Sequence, residues 1–378
     1  MSFESNDEQN VGSTSSVPSL LTPVQLGSLT LPNRIVMSPM TRARSINGVP
    51  ARIEAEYYSQ RATAGLIVTG GIYISRMAIG AVNVPGIFTE EQIEAWKQIT
   101  TSVHSAGGRI FAQLSHSGSV SHPSLLNDDI PVAPSAVNPH QKVMGVGGYL
   151  DTVKPRALTV AEIHSIIEEY RVAATNAKRA DFDGIEIHGG NVYLIPEFLN
   201  PSTNLRQDEY GGSPENRARI VREVLTAIGT VWDHDRIGLK LSPAISGIGT
   251  YRAVDHILEW LNDFAPAYLH LRRGFDTNGN PIEMLREHTF DHFGDLFKGT
   301  LIGNGGFDLL TADAHVQRGN VDLVSFARHF IANPDLVARL RKGDALSPSD
   351  PATYYTGGSK GYIDYPISTG VSPVGAAH

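Results

Sequence analysis

Apolar residues along this chain fall into short runs that stop abruptly at polar residues or glycine, and stretches with helical spacing follow. Eight runs stand out: "NRIVMSPM" from Asn33, "GLIVTGG" from Gly65, "RIFAQLSH" from Arg109, "GIEIHGG" from Gly184, "IGLKLSP" from Ile237, "YLHLRRG" from Tyr268, "TLIGNGG" from Thr300 and "DLVSFAR" from Asp322. Each is short and rich in β-branched or aromatic residues, as suits a parallel strand buried on both faces. The helices between them carry start signals. Thr159 with Glu162 forms a capping box ahead of an apolar stripe at Ile163, Ile166, Ile167, Tyr170, Ala174 and Ala177. Thr89 with Gln92 repeats the device, and Ser213-Pro214 and Asn333-Pro334 each place a capping residue before a proline at the first helical position. Ahead of the first long run, "LLTPVQLGSLTLPNRIVMSP" reads as a β-hairpin around a Gly-Ser turn.

Eight alternating strand and helix units predict a (β/α)8 TIM barrel with an N-terminal β-hairpin. A doubly wound open sheet is the alternative, but it expects a G-x-G-x-x-G turn after an early strand, and "GGIYISRMAIGA" lacks that spacing. In a barrel the chemistry sits at the C-terminal strand ends. Thr41, Gly71, Gln113, His188, Lys240, Arg272, Asn304 and Arg328 would then ring one mouth. The connections Ser115 to Leu158 and Tyr193 to Gly212 are too long for simple turns and are expected to wall that face as long βα loops.

Composition narrows the function classes. The 378 residues could hold two ordinary domains or one large barrel. A net charge of −8, with scattered Lys and Arg, argues against a nucleic-acid partner. With no cysteine, disulfides, thiol catalysis, zinc–thiolate sites and iron–sulfur clusters are excluded. No run reaches the roughly 20 apolar residues of a membrane span. The polar stretch 1–18 has neither the basic start nor the apolar run of a signal peptide and reads as a disordered tail. That places the barrel at 19–366 and a flexible C-terminal tail at 367–378. Fourteen histidines include no H-E-x-x-H and no close ligand cluster, so no metal is expected, and no G-x-S-x-G elbow is present.

Three constellations carry candidate chemistry. Gly305 and Gly306 let backbone N–H groups approach an anion, and Arg328 offers a fork to phosphate oxygens; equally, the glycines could only turn the chain and Arg328 pair with a carboxylate. Gln113, Lys240 and Thr41 could aim donors at a heterocycle in the mouth, or satisfy one another inside it. His188, Asn191 and Tyr193 sit together after one strand. Two donors on one carbonyl oxygen would polarise it, and a phenol, protonated at neutral pH, can deliver a proton to carbon. Their alternative is structural: a satisfied histidine, a loop-bending asparagine and a packed tyrosine.

The segments "LTPVQLGSLTLPNRIVMSPMTRAR", "EYYSQRATAGLIVTGG", "AQLSHSG", "GIEIHGGNVYLIPEFLNPSTNLRQDEYGGSPENRARI", "LIGNGGF", "FARHFIANPDLVARLR" and "GYIDYP" together resemble the Old Yellow Enzyme family of flavin-dependent ene-reductases. The resemblance implies non-covalent FMN and NADPH or NADH as reductant. It implies that Pro39, Met40, Thr41 and Gly71 line the flavin, Gln113 bonds its pyrimidine edge, Lys240 lies near N1/O2, and Gly305, Gly306 and Arg328 hold the phosphate. His188 and Asn191 correspond to the donors to the substrate oxygen, Tyr193 to the proton donor and Tyr362 to an aromatic beside the substrate. The expected substrate is a small activated alkene, and the expected setting a cytoplasmic monomer or homodimer with no membrane attachment. This sequence departs from the family at Lys240, where arginine is usual, and at Ser115, where tryptophan is common. Arg272 and Arg273 are unusually basic, which suggests contact with the 2′-phosphate of NADPH. Two other readings stay open: a flavin-free barrel lyase or isomerase using Lys240 as a Schiff base, and a flavin-binding protein without catalysis.

Overall fold

The computed structural model describes residues 17–243, 248–274 and 283–368. Eight parallel strands close on themselves: β1 (Ile35–Met37), β2 (Leu66–Val68), β3 (Ile110–Ser115), β4 (Gly184–Gly189), β5 (Ile237–Leu241), β6 (Tyr268–Arg272), β7 (Leu301–Asn304) and β8 (Leu323–Phe326). Each pairs with the next in chain order and β8 returns to β1, so the barrel has no open edge. Helices α1 (Arg52–Ser59), α2 (Glu90–Ser105), α3 (Val160–Arg179), α4 (Pro214–Gly229), α5 (Ile248–Phe264), α6 (Glu283–Leu296), α7 (Leu309–Gln317) and α8 (Leu336–Lys342) alternate with the strands. All eight sequence runs contain the expected strands.

Residues two apart on a strand share a face, and this period organises the interior into layers. The lower layer is apolar: Val36, Leu66, Val68, Phe111, Tyr268, Ile302 and Leu323 are buried together. At the same level β4 and β5 carry glycine. A Cβ on Gly184 would run into the Phe111 ring, and one on Gly238 into the Tyr268 ring. Those two rings lie 5.9 Å apart and fill the space the glycines leave. Below them sits the hairpin, Val24–Leu26 paired antiparallel with Leu29–Leu31. Its Leu26, Leu29 and Leu31 join the same cluster and close the barrel floor, each contributing about 1.5–3 kcal/mol by burial.

Two residues further along, the interior turns polar. Ser38, Gln113, Glu186, Lys240, His270, Asn304 and Ser325 follow on their strands, so the mouth rests on a polar layer above an apolar one. The opposite strand face, represented by Ile185 and Ile187, packs into the main core with the helices.

Helix starts follow the expected chemistry at three sites. Thr89 Oγ1 accepts from the Gln92 amide, Thr159 Oγ1 from the Glu162 amide and Ser213 Oγ from the Asn216 amide. Asn333-Pro334 does not start a helix. Asn333 is fully buried and closes the short helix Arg328–Ala332, while its side chain bonds Ser347 N at 2.7 Å and His329 O at 2.9 Å. The last helix begins after Asp335, whose carboxylate instead binds Arg339 at 2.8 Å.

The Ser115–Leu158 connection holds an antiparallel hairpin, Lys142–Gly145 with Gly148–Asp151. Val143 of that hairpin joins Val120, Leu125 and Leu126 in one apolar cluster, against which Leu150, Val192 and Tyr193 pack, so the loop covers one side of the mouth. The expected tails lie mostly outside the described residues. Of their ends that are described, Val17 is buried in the core and Ser368 N donates to Asp335 at 2.6 Å, so the folded body reaches beyond both expected boundaries. No helix among the described residues is long and apolar enough to cross a membrane.

Candidate active site

Glu186 is the hub of the polar layer. It is fully buried, and Gln113 Nε2 donates to one of its oxygens at 2.7 Å. His270 Nδ1 meets the other at 2.8 Å, and His270 Nε2 lies 2.8 Å from Ser325 Oγ. Asn304 Nδ2 donates to the same Ser325 Oγ at 2.8 Å. Burial opposes the charge on Glu186, but His270, Lys240 and Gln113 outweigh it and hold the carboxyl below its ordinary range. Burial pushes His270 down to about 4, so at neutral pH a neutral imidazole donates from Nδ1 and accepts at Nε2. Burial also pushes Lys240 down to about 8; Glu186 opposes that shift and Arg272 adds to it.

The first three strand ends meet over this layer. Pro39, Met40, Thr41 and Gly71 are partly buried. A Cβ on Gly71 would lie 3.7 Å from Gln113 Oε1, so a glycine there leaves that acceptor unshielded. A cavity of about 20 Å³, room for one water, lies beside Met40, Thr41, Gly71, Glu54 and Tyr362. Tyr362 itself is buried, stacked on Tyr57 at 4.0 Å beneath the guanidinium of Arg44. It therefore adjoins the Met40–Thr41 segment.

At the end of β4, His188 stands opposite Lys240 in register. Its Nδ1, like Ser242 Oγ, is buried with no hydrogen-bond partner among the described residues. A Cβ on Gly190 would come 2.8 Å from that Ser242 oxygen and 3.4 Å from the His188 ring, which explains the glycine. Burial, reinforced by Lys240, pushes His188 down to about 3, so the ring is neutral. Asn191 turns the chain with φ +61°, a left-handed conformation that asparagine tolerates. Its Oδ1 accepts from Arg272 Nη1 at 3.1 Å. Tyr193 meets the His188 ring edge-on at 5.3 Å. Burial, then Tyr73 and Tyr355, raise the Tyr193 phenol above its ordinary value and keep it protonated.

Across the mouth, Gly305 and Gly306 take φ values of +105° and +64°. Arg273 Nε donates to Gly305 O at 2.5 Å and Nη2 to Gly306 O at 2.9 Å, with the guanidinium 4.0 Å from the Phe307 ring. With both carbonyls engaged on one side, the turn is fixed. Asn304 stands opposite Ser325 in register, so this turn and the Ala327–Arg328 segment leave neighbouring strand ends. Arg328 is exposed. Arg273 is buried against these groups.

The structure thus brings together the sequence candidates at the mouth, and adds members that sequence reasoning missed. Glu186, His270 and Ser325 lie inside apolar runs, and only their shared parity with Gln113 and Lys240 hinted at a common layer; Thr69, of the other parity on its strand, accepts the Gln113 backbone N–H at Oγ1 at 3.0 Å. The polar groups fit a flat, hydrogen-bonding heterocycle with an anionic tail: an amide oxygen that can accept, a buried ammonium, an unpartnered imidazole nitrogen and a left-handed diglycine beside an exposed arginine. Among the described residues no three His, Cys, Asp or Glu side chains converge as metal ligands.

A family model for NADH:flavin oxidoreductase / NADH oxidase proteins matches residues 19–347. The chain is 38% identical to 12-oxophytodienoate reductase 7 of Oryza sativa subsp. japonica, covering 92% of this chain and 94% of that one. It is 37% identical to flavin oxidoreductase hxnT of Emericella nidulans, with 95% and 100% covered. Among solved structures, morphinone reductase in complex with tetrahydroNAD superposes with a TM-score of 0.87 at 42% identity, covering 93% of this chain and 98% of that one. The old yellow enzyme homologue from Zymomonas mobilis gives 0.88 at 37%, covering 93% and 100%. Fold and matches define the class, an FMN-dependent NAD(P)H oxidoreductase built on a TIM barrel. The chain belongs to the NADH:flavin oxidoreductase / NADH oxidase family, that is, to the ene-reductases of the Old Yellow Enzyme family.

Proposed function

We propose that this enzyme reduces the C=C bond of small activated alkenes (enones, enals, maleimides and nitroalkenes) at the expense of NADPH or NADH, as a cytoplasmic monomer or homodimer. The catalytic body is the barrel. Bound non-covalently, FMN supplies hydride transfer, from the nicotinamide to the β-carbon of the alkene. Pro39, Met40, Thr41 and Gly71 would line it, Gln113 Oε1 would accept from its pyrimidine edge, and Lys240 would place a positive charge near N1/O2. Gly305, Gly306 and Arg328 would hold its phosphate, with Tyr362 bordering the mouth beside Met40. The alkene's activating oxygen sits between His188 and the amide of Asn191. As charge develops on that oxygen the two donors stabilise it, each worth roughly 3 kcal/mol of barrier. Tyr193 gives its phenolic proton to the α-carbon.

The observation that carries this reading is the grouping of a neutral histidine, an amide and a protonated phenol at one strand end, above the Glu186–Lys240 layer. The test is anaerobic bleaching of the yellow holoenzyme by NADPH, followed by a panel of activated alkenes. Recolouring by enones is expected. A protein that takes up no FMN and is trapped through Lys240 by borohydride with a carbonyl ligand would establish the lyase alternative; one that stays bleached with every alkene would be a flavin binder only.

A further inference from the structure

Arg272 and Asn191 are 81 residues apart, yet Arg272 Nη1 lies 3.1 Å from Asn191 Oδ1. A guanidinium has five N–H donors and no acceptor, so the atom facing it must be the amide oxygen. This chemistry, independent of how an amide is drawn, points the Asn191 NH2 away from Arg272. Without such a partner, the amide could turn over and present its oxygen to the mouth. The strand pattern supports the assignment: Arg272 shares parity with His270, which stands opposite Lys240, and Lys240 in turn stands opposite His188.

Resting on the reading of His188 and Asn191 as the oxygen-binding pair, we propose that Arg272 is a positioning residue for that site. It holds the Asn191 amide with its N–H bonds toward the substrate oxygen and biases the site toward an oxygen bearing negative charge. The guanidinium acts through the amide, polarising it as a donor, and no bond to substrate is required of Arg272 itself. The substrate class this favours is one whose oxygen becomes, or already is, an oxyanion: enones over alkenes activated only by neutral, weakly basic groups.

The test uses 4-nitrophenol on the FMN-loaded enzyme, because the probe's own absorbance reports whether its bound oxygen is ionised. In the parent, the phenol should ionise on binding at a pH below that for free 4-nitrophenol. Arg272→Met should raise that pH by about one unit, with roughly tenfold weaker binding of the phenolate, the usual scale for removing a group that orients a ligating side chain. Arg272→Gln should behave like Arg272→Met, since a glutamine can accept and lets the amide turn over; Arg272→Lys, also acceptor-free, should recover most of the parent behaviour. In an Asn191→Ala background, Arg272→Met should add little, because the residue through which it acts is gone. An equal effect in both backgrounds, or none in either, overturns the proposal. If the parent itself fails to bind 4-nitrophenol while holding FMN, the oxygen-site reading falls, and this inference with it.

Discussion

Arg272 and Arg273 are adjacent at the end of one strand, yet they serve two regions built on different principles. Arg272 turns inward to the Asn191 side chain, in a region organised by side chains: His188, Asn191, Tyr193 and Lys240 above Glu186. Arg273 turns the other way and binds the carbonyls of Gly305 and Gly306, where backbone conformation does the organising. The two-residue period of a strand is enough to divide neighbouring cations between the sites. A side-chain site can be tuned by substitution and by pH. A backbone site depends on left-handed φ values and changes little until the turn itself is loosened.

The largest effect should come from the first region. Tyr193→Phe should slow reoxidation by enones by roughly 10²–10⁴ while leaving bleaching by NADPH at the parent rate. Nitroalkenes should be affected less, because their stabilised anions accept a proton from water. Stopped-flow measurement of the two half-reactions checks this, and enone reduction at the parent rate would remove Tyr193 from its role.

The second region should respond in affinity rather than in rate. Arg273→Met removes both carbonyl bonds, and FMN should bind about 10–100-fold more weakly by analogy with other orienting groups. Riboflavin, which lacks the phosphate, should bind both proteins alike. Equal weakening for both ligands would mean that Arg273 supports the barrel generally, and the contrast between the two arginines would fail.

A substitution in the shared floor serves as the control. Gly238→Ala drives a methyl into the Tyr268 ring and should cost roughly 1–3 kcal/mol in urea unfolding. Because the floor supports both regions, FMN affinity and the 4-nitrophenol response should shift together or not at all; a shift in one alone would show that the lower layer favours one site.

How far all this could be read in the sequence follows the same division. The eight strands were legible because each apolar run ends in polar residues, and the hairpin because of its turn. The diglycine and His188–Asn191–Tyr193 were visible as local clusters. Glu186 and His270 were not recognised as a pair. In a strand buried on both faces, a lone polar residue gives no sign of which face is the interior, and their partner assignment depends on closure of the barrel. Asn333 misled for a related reason: its capping chemistry is real but is spent on a distant loop, Ser347, rather than on the following helix.

The last prediction concerns pH, and it separates the regions again. Tyr193 leads into the short helix Leu194–Leu199, whose Glu197 is buried against Ser119 N and Ser119 Oγ. Burial raises the Glu197 carboxyl from 4.5 to about 8, against the pull of the Ser119 bonds. A raised folded-state value means that the native protein holds the proton more tightly than the unfolded chain. The resulting stability is complete below about pH 4.5 and is lost as pH rises through about 8, where the buried group must ionise. Gly118 lies so close that a Cβ there would collide with the Glu197 carboxylate, so there is little room for the segment to relax around the charge. Relative to the parent, Glu197→Gln should therefore gain urea stability as pH rises from 5 to 9, with the two curves converging in relative terms at the acid end. In the parent, amide exchange corrected for intrinsic rate should quicken with pH across 194–199 but not across 305–307. Parallel stability curves for Glu197→Gln and the parent would show that this carboxyl does not titrate in the window, and the His188–Tyr193 side would then be no more pH-sensitive than the diglycine side.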